Sequence, residues 1–316
     1  MKGAGTITLA AGGLPVLAAW VVALSGLAVA HRPITDVLAE VLAVLLLVLG
    51  WRFRRGRLVV AAIALGLANF LVRMPLSDSP SEAGLAALAI LLPITLAVLS
   101  LLPERPIHRP LILALLGVVV IQAGLVAAIG DGQSTIHNGA LKTGIGALLT
   151  SPDLARLVFL IGGAFIALAY AARHSTFEGS LLWVTAASAL ALLAWKGPHA
   201  ATLAFTAAQL VLLIGLVEDS YRLAYHDELT SLPGRRALEE ALRALDGDYT
   251  IAMVDVDHFK RFNDRHGHAA GDQALRMVAA ELQKVAGGGR SYRYGGEEFA
   301  ILFPGTTPAE ASGPLE

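Results

Sequence analysis

Gly295-Gly296-Glu297-Glu298 stands between two stretches rich in β-branched or aromatic residues, 291–294 and 299–303. The pattern predicts a β-hairpin with the acidic pair at its tip. A glycine there permits positive φ and lets a bulky anion approach the main chain. A glutamate beside it can hold a divalent cation that neutralises that anion. The chemistry suggested is metal-assisted work on a phosphate, although a Gly-Gly hairpin with acidic neighbours also serves as a plain solvated turn. A second acidic point lies upstream, where 249–254 reads as a buried strand running into Asp255-Val256-Asp257-His258-Phe259-Lys260. Carboxylates at the end of a buried strand fix a hard cation at a rigid edge.

The elements that position these groups follow from the spacing. Asp227-Glu228-Leu229-Thr230-Ser231-Leu232-Pro233-Gly234 forms turns and opens a helix over about 235–245, with Leu238, Leu242 and Leu245 on one face. Asp272 stands where an N-cap belongs, ahead of a helix that turns Leu275, Val278, Leu282 and Val285 inward and ends at Gly287-Gly288-Gly289. The order is helix, strand, helix, hairpin. In an antiparallel α+β sheet the strand end and the hairpin tip can be neighbours, which brings Asp255 and Glu297 to one metal site.

The rest of the chain has another character. Hydrophobic residues make up 55% of the 316 and charged ones 16%, for a mean hydropathy of +0.64, and the apolar excess lies before residue 218. The net charge of −1 points to no particular partner, and the absence of cysteine excludes disulfides, thiolate metal sites and a cysteine nucleophile. Apolar runs near 8–30, 36–51, 58–73, 84–103, 110–130, 156–172, 179–195 and 199–217 predict eight bilayer spans. Arg52, Arg54, Arg55 and Arg57 follow the second, Arg105 and Arg109 the fourth, Arg173 and His174 the sixth. The positive-inside bias puts these loops, and everything after the eighth span, in the cytosol.

Ala28-Val29-Ala30 looks like a signal-peptidase site, but the apolar stretch before it exceeds the usual core of about 7–15 residues, so an uncleaved helix is expected. Cleavage would leave seven spans and the same cytosolic tail. Arg73 and Arg156 fall at span ends and Trp183 and Trp195 near the ends of the seventh, as interface anchors. Asn69, Gln122 and Gln209, with Glu40 near a span end, are too few for a transport path and read as interhelical hydrogen bonders. The outer loop over about 131–155, with Asp131, Ser134, His137, Asn138 and Lys142, is a candidate sensing segment. The last span runs unbroken through 218–224. Leu210, Leu213, Val217, Ser220 and Ala224 fit a parallel dimer seam, and a plain amphipathic exit helix fits equally.

Three stretches, DELTSLPGRRAL from Asp227, VDVDHFKRFNDRHGHAAGD from Val254 and RYGGEEF from Arg293, occur in an order and spacing that resemble the GGDEF family of diguanylate cyclases. The resemblance covers 227 to about 307. The apolar runs give an all-α polytopic membrane domain (1–217) and the unbroken exit a connecting helix (218–226), on which the resemblance is silent; it implies an α+β GGDEF domain (227–316) with a palm fold akin to adenylyl cyclases. It also implies condensation of two GTP into cyclic di-GMP with release of pyrophosphate. Carried over position by position, Asp255 and Glu297 would bind Mg²⁺ with the Val256 carbonyl, and Glu297 would help activate the 3′-hydroxyl. Asn263 and Asp272 would read the guanine, and Phe259, Lys260, Gly295 and Gly296 would lie along the triphosphate. Asp257, Asp264 and Glu298 fit solvated or supporting roles, and His258, His266 and His268 local packing or hydrogen bonding. Each subunit would hold one GTP, so a homodimer is required. The expected partners are GTP and the lipid bilayer, with no nucleic acid, and the expected location is the bacterial inner membrane with the GGDEF domain in the cytosol.

Two departures from the family pattern carry expectations of their own. Ala286-Gly287-Gly288-Gly289 stands where the family has the Arg-x-x-Asp of its product-inhibition site, so that feedback should be absent. The family domain continues beyond the hairpin with a further helix, strands and basic residues, so 227–316 reads as incomplete at its C-terminus, with exposed apolar sheet and a tail, 304–316, that cannot cover it. The alternative function is a catalytically inactive membrane sensor or GTP-binding or dimerisation module.

Overall fold

The computed structural model describes residues 2–25, 32–73, 82–103, 109–130, 148, 151–194 and 197–315. Ala28-Val29-Ala30, Arg105, Trp195 and the loop residues Asp131, Ser134, His137, Asn138 and Lys142 lie outside them. The chain divides into two compact units, 1–218 and 219–316.

The first unit is helical among the described residues: α1 (Lys2–Ser25), α2 (Arg32–Arg52), α3 (Gly56–Arg73), α4 (Glu82–Leu101), α5 (Arg109–Gly130), α6 (Pro152–Arg173), α7 (Thr176–Leu193) and α8 (Pro198–Tyr225), the last crossing the boundary between units. Six of these, α2, α3, α4, α6, α7 and α8, are long and apolar enough to cross a membrane, while α1 and α5 carry shorter apolar segments, Gly12–Ala23 and Leu113–Ala128. Local chemistry sets the ends: Ser151 accepts the Leu154 N–H ahead of Pro152 at the start of α6, and His174 closes that helix in the left-handed region. Leu46, Leu65, Leu96, Ile166, Leu181, Phe205 and Leu212 fill the interior. Large apolar side chains such as Leu113, Ile121, Leu160 and Leu168 face outward.

Polar residues of this unit depart from several expectations. Gln122 does bond between helices, accepting from Thr95 Oγ1 at 2.8 Å. Both amide atoms of the fully buried Gln209, and Oδ1 of Asn69, have no partner among the described residues. Arg73, at the end of α3, is ion-paired with Asp36 (3.3 Å) and Glu40 (3.2 Å). Arg57 is not an exposed member of its basic cluster but is buried against Glu178. The Trp183 indole lies on Gly12 and Gly13 of α1, filling the space side chains there would take.

The second unit is α+β. After α9 (Arg235–Arg243) come β1 (Tyr249–Asp255), α10 (Phe259–His266), α11 (His268–Leu282), β2 (Arg290–Gly295), β3 (Glu298–Pro304), α12 (Pro308–Ser312) and a 3-10 turn at Gly313–Leu315. The strands form an antiparallel sheet in the order β1-β3-β2. Alternation along the strands puts Tyr292, Ala300 and Leu302 on one face beneath Leu238 of α9. Phe299, Ile301 and Phe303 fall on the other, under Phe259, Leu275 and Ala279 of α10 and α11 and Ala311 of α12. The tail expected to leave the sheet bare thus supplies a short helix, held by a capping box between Thr307 and Glu310. The exposed apolar surface expected of the sheet is real at the edge strand, where Tyr249, Ile251 and Met253 lie in a row beyond the reach of α9.

Candidate active site

The antiparallel pairing of β1 with β3 sets the site. Asp255, the last residue of β1, stands opposite Glu298, the first of β3. The Val256 N–H donates to the Glu297 carbonyl at 3.3 Å. The strand end and the hairpin tip are therefore joined by a main-chain bond, and Asp255 and Glu297 occupy one edge of the sheet. The hairpin turns through Gly296-Glu297, with Gly295 paired to Glu298 after an irregularity in β2. Of the two glycines only Gly296 takes positive φ (+37), and nothing lies within 4 Å of the place a Cβ would occupy. An open, side-chain-free main chain beside a carboxylate suits a phosphate.

Beyond β1 the chain bends at His258, a non-glycine residue in the left-handed region (φ 57), a conformation that tends to collect at functional sites. Phe259 follows with its ring in the core against Leu232, Leu275 and Phe299, and its N–H is given to the Val256 carbonyl at 3.2 Å. Lys260 is exposed next to it.

Asn263, on α10, is half-buried, and its Oδ1 has no hydrogen-bond partner among the described residues. An orphaned acceptor is costly unless a ligand or water meets it. The amide lies against Gly271 of α11, where a Cβ would collide with it and sit 3.1 Å from the Phe259 ring, so the two helices cross closely only because residue 271 is glycine. Asp272 is the next residue and is exposed. It is not the N-cap expected of it: α11 begins at His268, with Gly267 (φ 84) at the cap, so Asp272 projects from the helix body next to the Asn263 contact.

A tie that the spacing did not reveal holds the hairpin. Arg293 Nη1 donates to Asp227 Oδ1 at 2.6 Å, while its Nη2 and Nε donate to the Gly296 carbonyl at 2.7 and 3.2 Å. The same Asp227 oxygen accepts the Thr230 N–H (2.8 Å) and hydroxyl (2.6 Å). The Arg293 N–H bonds Pro233 O, and the Gly234 N–H bonds Tyr225 O at the end of α8. Burial pushes the Asp227 carboxyl up, but the hydrogen bonds from Thr230 and Arg293 outweigh it and hold its pKa below the ordinary value. The signal was present in the sequence only as an acid-x-x-Thr turn 66 residues from an arginine.

As a cation site the residues fit. Among the described residues no three His, Asp or Glu side chains stand together as a closed cage. The donors offered are two carboxylates and the Val256 carbonyl, all hard oxygens. Mg²⁺ commonly takes one or two carboxylates and completes its shell with water and substrate phosphates.

Residues 224–314 match the family described as diguanylate cyclase, GGDEF domain. The chain is 46% identical over 99 residues to diguanylate cyclase DgcP of Pseudomonas aeruginosa, covering 29% of this chain and 15% of that protein. It is 42% identical over 85 residues to diguanylate cyclase VdcA of Vibrio cholerae, covering 26% of this chain and 25% of that one. The chain thus spans a quarter or less of the length of these curated relatives. A solved structure of the coiled coil and GGDEF domain of DgcB from Caulobacter crescentus, in complex with c-di-GMP, is 36% identical and covers 33% of this chain and 58% of that one, with a TM-score of 0.30.

Proposed function

We propose that this chain, whose residues 224–314 belong to the GGDEF family, is a membrane-bound diguanylate cyclase that joins two GTP into cyclic di-GMP. The observation that carries the reading is the edge where Asp255 and Glu297 are linked through the Val256 to Glu297 main-chain bond, with the open Gly296 beside them. A triphosphate lies along the Gly295-Gly296 main chain and Lys260. The guanine enters between Asn263 and Asp272, whose carbonyl and carboxylate oxygens accept from its N–H groups.

Asp255, Glu297 and the Val256 carbonyl would hold Mg²⁺. Bound there, the ion would supply charge neutralisation for the phosphates and the leaving pyrophosphate. Glu297 orients the 3′-hydroxyl of one GTP and helps draw off its proton. The hydroxyl oxygen bonds the α-phosphorus of the other GTP as the bond to pyrophosphate breaks. The same exchange with the roles reversed closes the ring and releases a second pyrophosphate. One half-site holds one nucleotide, so two copies must face each other, and α8 is the element that can set their geometry. Six helices of spanning length and the outward Leu113, Ile121, Leu160 and Leu168 support a bilayer around the first unit. With the arginine-bearing ends inside, the catalytic unit lies in the cytosol of a bacterial inner membrane.

The test is to supply the purified chain in lipid with GTP and Mg²⁺ and to follow cyclic di-GMP by mass spectrometry, with Glu297→Ala as control. Product from the parent that disappears in the control is the expected result. No product from folded parent protein would sink the enzymatic reading.

A further inference from the structure

Glu178, near the start of α7, is fully buried, yet it is the meeting point of four helix ends. Its Oε1 accepts from Arg57 of α3 at 2.9 Å and from Arg173, the last residue of α6, at 3.2 Å, and Ser175 donates to its Oε2. The two guanidinium groups reach onward to the end of α4. Arg57 donates to the Leu102 carbonyl at 2.9 Å; Arg173 donates to Ser100 O at 2.6 Å, Leu101 O at 3.2 Å and Leu102 O at 3.3 Å. The Arg57 guanidinium also lies 4.4 Å from the Phe177 ring centroid. One carboxylate therefore balances two cations that satisfy the carbonyls at the negative end of a helix.

The turn of α7 that carries Glu178 is also the seat of α8. Gly215 of α8 lies directly on Ser180, so closely that a Cβ there would run into Ser180 Oγ and come 3.8 Å from the Thr176 carbonyl. Thr176 and Ser180 flank Glu178 on the same helix, and Ser180 Oγ donates to Thr176 O. α8 then runs on to Tyr225, whose carbonyl starts the bonds that lead to Arg293 and the hairpin. A buried ion pair adds little net stability but fixes one arrangement among several.

We infer that the Arg57–Glu178–Arg173 cluster is a lock that holds α8 in its seat on α7, and that opening it shifts α8 and so changes the output of the C-terminal unit. The effect on output rests on the cyclase reading; the seating of α8 does not. Because the chain has no cysteine, the seat can be read by cross-linking. Ser180 Cβ lies 3.4 Å from the place of a Gly215 Cβ, close to the ~3.5–4.5 Å found across a disulfide.

In the full chain in native membranes, Ser180→Cys with Gly215→Cys is oxidised and the cross-link is followed on gels by its shift after a protease cut between the helices. Adding Glu178→Gln should slow cross-linking by at least about threefold, a shift in favour of unseated states, and Arg173→Gln should slow it less. Cross-linking at the parent rate in both variants overturns the lock. If Glu178→Gln fails to insert, Arg173→Gln, which leaves Arg57 on Glu178, carries the test alone. Slowed cross-linking in a chain that makes no cyclic di-GMP keeps the lock and removes the enzyme reading. In an active chain, Glu178→Gln on the cysteine-free background should change cyclic di-GMP output at least about threefold; slowed cross-linking with unchanged output overturns the regulatory step.

Discussion

Asp255 and Glu297 make the sharpest demand on single side chains. Each supplies oxygen to the same edge, so Asp255→Asn and Glu297→Ala should each lower cyclic di-GMP formation by about 10²–10³-fold. Unfolding temperatures should be near those of the parent, because both side chains reach solvent. Arg293 acts one step back, by holding the Gly296 carbonyl and so the turn that presents Glu297. Lysine keeps the charge but cannot reproduce the fork between Asp227 and Gly296. Arg293→Lys should therefore reduce kcat about tenfold, with a smaller change in the KM for GTP. The pH dependence of this tie has a definite sign. The folded pKa of Asp227 lies below its ordinary value of 3.8, so its stabilising contribution is complete above that value and is lost as the pH falls through the lower, folded one. Acid unfolding followed by circular dichroism should show Asp227→Asn less stable than the parent at neutral pH, with the two curves converging below about pH 4.

Elements bring distant residues together. α10 and α11 meet at Gly271, and Asn263 faces that crossing; Gly271→Ala should drive the amide aside and raise the KM for GTP by about tenfold or more, measured by initial rates. α11 is held on the sheet by Leu275, which is buried against Phe259 and Phe299, so Leu275→Ala should cost about 2–5 kcal/mol in denaturant unfolding. α12 is anchored more lightly. The Thr307 hydroxyl and N–H both bond Glu310 Oε2 at 2.7 and 2.9 Å, and loss of that cap by Thr307→Ala should cost about 1 kcal/mol. The main-chain bond from Thr307 and its hydroxyl hold the Glu310 pKa below the usual value, so this small contribution too is one that acid removes.

On the scale of the whole molecule, the two units divide the physical problem. The first has an outer surface of leucine, isoleucine and valine and keeps its charges at helix ends, as in Arg73 with Asp36 and Glu40, and Arg57 and Arg173 with Glu178. The second buries the core of an antiparallel sheet and brings the main chain of Asp255 and Glu297 to one of its edges. If the first unit lies in a bilayer with its arginine-bearing ends inside, the chain should stay in the membrane pellet after alkaline carbonate. A fluorescent reporter fused after Glu316 should light up in the cytosol, and alkaline phosphatase fused there should stay inactive.

Much of this was legible in the residues themselves. Apolar runs of spanning length, the hairpin around Gly296, the strand ending at Asp255 and the helix opening after Pro233-Gly234 depend on periodicity and turn chemistry, which act over a few residues. The main-chain meeting of the strand end at Asp255 with the hairpin tip could be anticipated because antiparallel pairing has few registers. What only the tertiary structure decided are contacts between groups far apart in sequence, where no local signal exists: Arg293 with Asp227, Arg57 with Glu178, the indole of Trp183 on Gly12 and Gly13, and Gly271 against Asn263. Asp272 was misread as a cap because its residue type favours that role, whereas the positive φ of Gly267 started the helix five residues earlier. The tail was misread as bare because its Pro, Gly, Ser and Thr content suggests coil, yet one capping box and one buried Ala311 were enough to dock it on Ile301 and Phe303. Local propensities fix which elements form, but a buried charge or a close helix crossing is chosen by whatever the rest of the fold brings beside it.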